Sequence, residues 1–189
     1  KVGEEVFEGT KLLIASGAEA IVPPIPGAKE GLAAGYVLAN RENLDLGVIP
    51  KSRGVVGGGD IGLEMASYFN SVGSKVTVIE MLDKVAGPTD REISAILQKN
   101  YEKKGITFKL SCKVTGMPKG IVEYEESGNK QTVEADYVLL SIGRRPVTTG
   151  FGLETLGVLV ERGRIVVDDK GYTNIPGVYA SGDVNGVWM

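Results

Sequence analysis

Three features of the sequence predict an α/β chain built around a βαβαβ unit with an antiparallel meander. The first is a glycine-rich turn, Gly57 to Gly62, between a short strand ending in Val55-Val56 and a helical stretch in which Ile61, Met65, Tyr68, Phe69 and Val72 recur at helical spacing. Gly73 supplies a left-handed stop to that helix. The second is the β-branched run Lys75 to Glu80 (KVTVIE), which reads as a buried parallel strand. The third is Ser127-Gly128-Asn129 between Gly120–Tyr124 and Gln131–Ala135, the signature of a hairpin.

Taken along the chain, Lys11 to Ala15 (KLLIA) is the one good strand before this unit, and the Pro-rich link Pro23-Pro24-Ile25-Pro26-Gly27 follows it. After the β-branched run, Thr89 and Glu92 predict a capping box, with Ile93, Ile96, Leu97 and Tyr101 as the apolar stripe of a second helix. Lys103 and Lys104 precede Gly105, where the helix dipole favours cations. Ile106, Phe108 and Leu110 alternate with Thr107 and Lys109 as a strand with one wetter face, and Tyr137 to Ile142 (YVLLSI) returns as a continuous apolar strand. Arg164 to Val167 and Val178 to Ser181 read as short strands. The order places a complete Rossmann-like unit at residues 49–146 and incomplete flanks at 1–48 and 147–189, neither able to build a core alone, as when one domain is inserted into another. A first residue Lys1 rather than Met, and a last pair Trp188-Met189 following directly on a glycine-rich apolar segment, read as an internal fragment.

Composition narrows the function. Apolar residues make up 42% and charged residues 24%, which fits a soluble globular chain rather than a disordered one. A net charge of -3 with no run of Lys/Arg argues against nucleic acid and anionic membrane as partners. Apolar runs such as Tyr137 to Ile142 fall short of a membrane span and no signal peptide opens the chain, so a cytoplasmic setting is expected. The lone Cys112 excludes an internal disulfide, and the absence of His removes the commonest general base and metal ligand. No catalytic residue and no metal site is therefore expected here, and Cys112 is expected to be an unreactive strand-end thiol.

Gly57-Gly58-Gly59-Asp60-Ile61-Gly62 fits G-x-G-x-x-G, in which the first glycine makes the tight turn, the second lets backbone approach a pyrophosphate and the third allows close helix-to-strand packing. With glycine at about one residue in seven, a chance match has an expectation of roughly 0.5, so context decides. Here the match lies between a strand and an amphipathic helix whose N-terminus presents amides and a positive dipole end to an anion. Glu80 stands 18 residues past Gly62 at the end of the next strand. A carboxylate there accepts the adenosine ribose hydroxyls and repels a 2'-phosphate, and Met81 to Pro88 contains no Arg and only Lys84. NAD is favoured over NADP. The plain structural alternative is a glycine turn with a surface Glu.

Four segments, Leu12 to Gly17 (LLIASG), Val55 to Glu80, Leu139 to Pro146 (LLSIGRRP) and Arg164 to Asp183 (RIVVDDKGYTNIPGVYASGD), resemble the pyridine-nucleotide disulfide oxidoreductases in content, order and spacing, and within them the dihydrolipoamide dehydrogenase group. The resemblance implies that Gly57, Gly58, Gly59, Asp60, Ile61, Gly62, Leu63 and Glu64 cradle the NAD pyrophosphate and reach the nicotinamide. It implies that Glu80 holds the adenosine ribose and that Val114 and Gly143 offer backbone contacts. Gly17 and Asp183 would face an FAD in flanking segments of a partial FAD-binding domain, with Met189 falling along the isoalloxazine. Arg144 and Arg145 would mark the crossing back to that domain. The parent would pass hydride between NAD and FAD and electrons to a cysteine pair that exchanges with dihydrolipoamide or a lipoyl domain, as a homodimer assembled through a C-terminal domain absent here. An NADH-dependent reductase of another disulfide or thiol substrate is the alternative within the family, and a non-catalytic NAD-sensing domain the alternative outside it. The family's first flavin-binding glycine motif, redox cysteine pair and histidine base have no counterpart in these residues, and Asp60 replaces the apolar or aromatic residue that often covers the nicotinamide pocket.

Overall fold

The computed structural model describes residues 2–187. In chain order the elements are β1 (Leu12–Ile14), β2 (Ala18–Ala20), α1 (Ala28–Ala34), β3 (Val37–Leu38), α2 (Asn40–Leu44), β4 (Ser52–Val56), α3 (Asp60–Ser71), β5 (Lys75–Ile79), α4 (Arg91–Lys103), β6 (Thr107–Lys109), β7 (Cys112–Gly116), β8 (Gly120–Glu126), β9 (Asn129–Ala135), β10 (Tyr137–Leu140), β11 (Arg144–Pro146), α5 (Leu153–Leu156), β12 (Val160–Glu161), β13 (Arg164–Ile165) and β14 (Val178–Ala180). They divide into two compact units, Ala20–Gly143 and the described residues on either side of it.

In Ala20–Gly143 a five-stranded parallel sheet runs in the order β3-β10-β4-β5-β6. Its central strands bury Val55, Val56, Val76, Val78, Ile79, Val138, Leu139 and Leu140, because both faces of the sheet are covered. On one face Ala66 and Phe69 of α3 pack with Val55, Val76, Val78, Ile106 and Leu139. On the other, Val114, Val122, Tyr124 and Ala135 of the antiparallel sheet β7-β8-β9 pack with Val56, Ile79, Val138 and Leu140. The α/β fold expected from the sequence is thus present, meander included. The β8–β9 turn is the expected hairpin: Ser127 and Gly128 both have positive φ (51° and 83°) and Glu126 pairs with Asn129, as a two-residue type I′ loop requires.

Four local expectations differ from the structure. The parallel sheet gains β3, and its compact unit starts at Ala20, within the stretch that sequence assigns to the flank; a two-residue strand leaves no periodicity to read. The inward face of α3 is Gly62, Leu63, Ala66 and Phe69, while Tyr68 is 57% exposed. Gly62 and Ala66 take inward positions because the helix lies close on the sheet there, with Leu63 and Phe69 beside them, whereas sequence reading places Ile61, Met65, Tyr68 and Val72 on the same stripe as Phe69. On α4, Asp90 rather than Thr89 is the cap, its Oδ1 accepting from the amides of Glu92 (2.8 Å) and Ile93 (3.4 Å). Ile93 and Ile96 are then turned outward, and Ser94 is buried with Leu97 and Tyr101 partly covered.

The second unit holds the parallel pair β1–β14, the antiparallel pair β12–β13 and the pair β2–β11. Ile14 from before the larger unit joins Leu153, Val158, Ile165, Val178, Ala180 and Val184 from after it in one small cluster. Six of the seven buried residues of that cluster come from the later segment.

Two buried positions in the larger unit give stability tests. A Cβ on Gly62 would lie 2.2 Å from the Gly57 carbonyl oxygen and 2.7 Å from Ser141 Oγ, so Gly62→Ala must push α3 off the sheet. A loss of about 1–3 kcal/mol in denaturant unfolding is expected, and an unchanged midpoint would contradict the close approach. Arg53 on β4 is 1% exposed, its guanidinium nitrogens have no hydrogen-bond partner among the described residues, and it lies 3.8 Å above the Phe69 ring. Burial pushes this guanidinium down to about 10, so it stays charged at neutral pH. A desolvated cation–π contact returns about 2 kcal/mol, less than the several kcal/mol that burying the charge costs. Arg53→Met is therefore expected to raise the free energy of unfolding by about 1 kcal/mol or more, and a clear loss would show that the buried charge is satisfied after all.

Candidate functional site

The site is assembled where β4, β5 and β10 end together. Gly57 follows β4 with φ of 106°, its amide donates to the Ile79 carbonyl (2.9 Å), and a Cβ there would lie 2.4 Å from the Ser141 carbonyl oxygen. Only glycine meets both demands. Ser141, just past β10, closes the turn from its other side: its amide donates to the Val56 carbonyl (2.8 Å), and its Oγ lies within reach of the Val56 (3.0 Å) and Gly57 (3.1 Å) carbonyls. The sequence shows this serine only as a polar interruption of an apolar strand.

Gly59 precedes α3 in extended conformation, and a Cβ there would meet nothing within 4 Å. Space of that kind at the second glycine of the motif is what an approaching phosphate group needs. No side chain caps α3, so its first-turn amides and positive dipole end face that space, an arrangement that suits an anion. Asp60 begins the helix and is exposed; Ile61 is half-buried and Glu64 exposed. Leu63 is buried against Val85 and Ala86 and its amide donates to the Gly59 carbonyl (2.9 Å), so its work is packing.

Glu80 follows β5 and is half-buried. Its Oε2 accepts from the Gly58 amide (2.6 Å) and its Oε1 from the Leu82 amide (2.7 Å). Its own amide donates to the Lys109 carbonyl (2.8 Å) and its carbonyl accepts from Cys112 (2.9 Å). The carboxylate is thereby fixed beside the glycine turn, and each oxygen retains a lone pair for a further donor. The strand order reverses at β4, whose neighbours are β5 on one side and β10, returning after the meander, on the other; ligands of open α/β sheets lodge at such a crevice.

Other positions singled out by sequence lie outside this cluster. Val114 is paired with Tyr124 in β7, and Gly143, with φ of 126°, accepts at its carbonyl from the Ile21 amide (3.0 Å). In the second unit Gly17 has φ of 71° and accepts from the Val147 amide (2.9 Å), and Asp183 Oδ2 lies 3.9 Å from Arg144 Nε. Arg145 pairs with Glu19 (2.7 Å) and Arg144 donates to the Ala18 carbonyl, which gives the two arginines a structural role. A cleft of about 890 Å³ in this unit is lined by Leu12, Leu13, Tyr179, Ser181, Gly182 and Asn185 among others. Met189 lies outside the described residues. Cys112 is buried, its Sγ donating to the Leu110 carbonyl (3.2 Å), and burial with the nearby Glu126 carboxylate pushes its thiol up. No group of three or more metal-ligating side chains occurs among the described residues, and none of their helices is long and apolar enough to cross a membrane.

Known proteins are similar to this chain over nearly its whole length. Residues 1–189 match the family model described as pyridine nucleotide-disulphide oxidoreductase. A dihydrolipoyl dehydrogenase of Acholeplasma laidlawii is 42% identical over 188 residues, covering 100% of this chain and 55% of that protein. A dihydrolipoamide dehydrogenase of Chaetomium thermophilum is 44% identical over 189 residues, 96% of this chain and 37% of that protein. The chain thus spans about half or less of the curated relatives it matches. Among solved structures, the flavoprotein disulfide reductase RclA of Escherichia coli in a Cu(II) complex superposes with a TM-score of 0.83 at 31% identity, covering 96% of this chain and 41% of that one. With the match running from the first residue to the last, the chain belongs to the pyridine nucleotide-disulphide oxidoreductase family.

Proposed function

We propose that Ala20–Gly143 binds NAD(H), that the flanking unit is part of an FAD-binding domain, and that the parent protein is an FAD-dependent dihydrolipoamide dehydrogenase. One observation above the others supports the nucleotide reading: a fixed carboxylate, Glu80, stands beside an uncapped helix N-terminus with open space over Gly59. The helix and glycine amides suit a pyrophosphate, and Glu80 suits the two ribose hydroxyls at one end of it. The residues present fit the nucleotide, which when bound supplies hydride chemistry. The chain's part is to bind and orient it. Gly57, Gly58, Gly59 and Gly62 give backbone approach, Asp60, Ile61 and Glu64 border the helix start, and Val114 and Gly143 keep the backbone contacts that family likeness implies for them. On the flavin side, Gly17 and Asp183 retain the roles that family likeness implies for them. The names of the curated relatives favour dihydrolipoamide as the partner substrate. The likeness to a flavoprotein disulfide reductase supports reduction of another disulfide as the second reading. A free-standing NAD sensor leaves the match of both flanks without explanation.

Two measurements test this. The chain contains one cysteine and no histidine, so by itself it is expected to bind NADH without reducing lipoamide; NADH-dependent turnover by the purified 189-residue chain would contradict the assignment of redox chemistry to other parts of the parent. Removing the Glu80 carboxylate in Glu80→Ala is expected to cost about 1.5–3 kcal/mol of NAD binding, roughly 10 to 150 fold, from charge-assisted hydrogen bonds to the ribose. Repulsion of a 2'-phosphate disappears in the same variant, so NADP binding is expected to hold or improve. Calorimetry with both cofactors separates this from the hold that Glu80 also has on Gly58: equal losses for NAD and NADP would mean that the carboxylate acts only through the turn.

A further inference from the structure

The segment between β5 and α4, residues 80–90, touches the glycine turn at a second point. The Ala86 amide donates to the Gly58 carbonyl (2.8 Å), while the Gly58 amide donates to Glu80 Oε2 (2.6 Å). Both hydrogen-bonding groups of the central glycine of the turn are thus held by one loop, one by its first side chain and one by its backbone seven residues into it. The second tie needs Ala86 at φ of 59°, a left-handed conformation that a residue with a Cβ adopts only when its surroundings impose it.

Three contacts impose it. Val85 is fully buried and packs with Leu63 and Ala86. The Thr89 amide donates to the Ala86 carbonyl (3.0 Å). The Lys84 ammonium turns back into its own loop, donating to the carbonyls of Thr89 (2.7 Å) and Gly87. Those bonds occupy two of its three donors and close the loop across the strained residue. The sequence shows Lys84 as the only cation between Glu80 and Pro88, and the structure turns it toward the backbone.

We propose that Lys84 is a positioning residue for the dinucleotide site. Its ammonium, tied to the Gly87 and Thr89 carbonyls, holds Ala86 in the left-handed conformation that fixes the Gly58 carbonyl, so that the glycine turn is set before a pyrophosphate reaches it. This assignment rests on the NAD reading above. A preorganised turn lowers the ordering cost of binding, and that gain belongs to ligands that reach the turn.

The test uses the ¹⁵N-labelled 189-residue chain, unsubstituted and as Lys84→Met, titrated by NMR with NAD and with adenosine, which has no phosphate to lay on the turn. Lys84→Met is expected to weaken NAD about tenfold, as for one net hydrogen bond lost, and to leave adenosine within about twofold. An unchanged NAD affinity, or equal losses for both ligands, would overturn the proposal. Amide exchange in the unsubstituted chain provides a reading that does not depend on the variant folding. The Ala86 amide is expected to exchange at least about 100 times more slowly than the amide of exposed Asp83, and equal rates would overturn the proposal. Absence of NAD binding by the unsubstituted chain would overturn the dinucleotide reading and this assignment with it, whereas NAD binding with fast Ala86 exchange would overturn this assignment alone.

Discussion

The approach of Gly62 to the Gly57 carbonyl is the constraint on which the rest of the site depends. A missing Cβ at Gly62 lets α3 start within one turn of the end of β4, with Ser141 of the neighbouring strand packed against both glycines. Because the helix starts there, its unpaired amides lie at the carboxyl edge of the sheet, at the strand where the order reverses. Glu80 arrives at the same edge because β5 runs parallel to β4 in a register that pairs Val56 with Ile79. A larger residue at either glycine would separate these three groups.

The electrostatics follow from the same geometry. An uncapped helix end and a fixed carboxylate sit close together, one suited to a phosphate and the other to hydroxyl donors, which is the charge pattern of a dinucleotide read from pyrophosphate to ribose. Cys112 is enclosed, and burial, with the nearby Glu126 carboxylate, disfavours its thiolate. The curated relatives in its family are about twice as long as this chain or longer.

Much of this was legible in the sequence because its cause is local. The glycine turn, the β-branched strand after it and the Ser127-Gly128 hairpin each express a backbone requirement of neighbouring residues, and each appears where expected. What the sequence hides depends on partners distant along the chain. Ala66 faces the sheet instead of Tyr68 because α3 lies close on it, Leu63 is covered by Val85 and Ala86, and Val37–Leu38 is a strand only because β10 pairs with it. Asp90 displaces Thr89 as cap, and Thr89 is left to serve the loop, its amide and carbonyl bonded to Ala86 and Lys84. Ser141 and Ala86 carry no motif; their importance comes from the two carbonyls they meet, those of Gly57 and Gly58.

Mapping the amide shifts of the labelled chain on addition of NAD addresses the central claim most directly. A dinucleotide site at the edge formed by β4, β5 and α3 requires the largest shifts at Gly58 to Gly62 and around Glu80, with Gly17 and the residues near Asp183 unmoved. Saturable shifts centred on Gly17 and Asp183, or no saturable shift at the glycine turn, would contradict it.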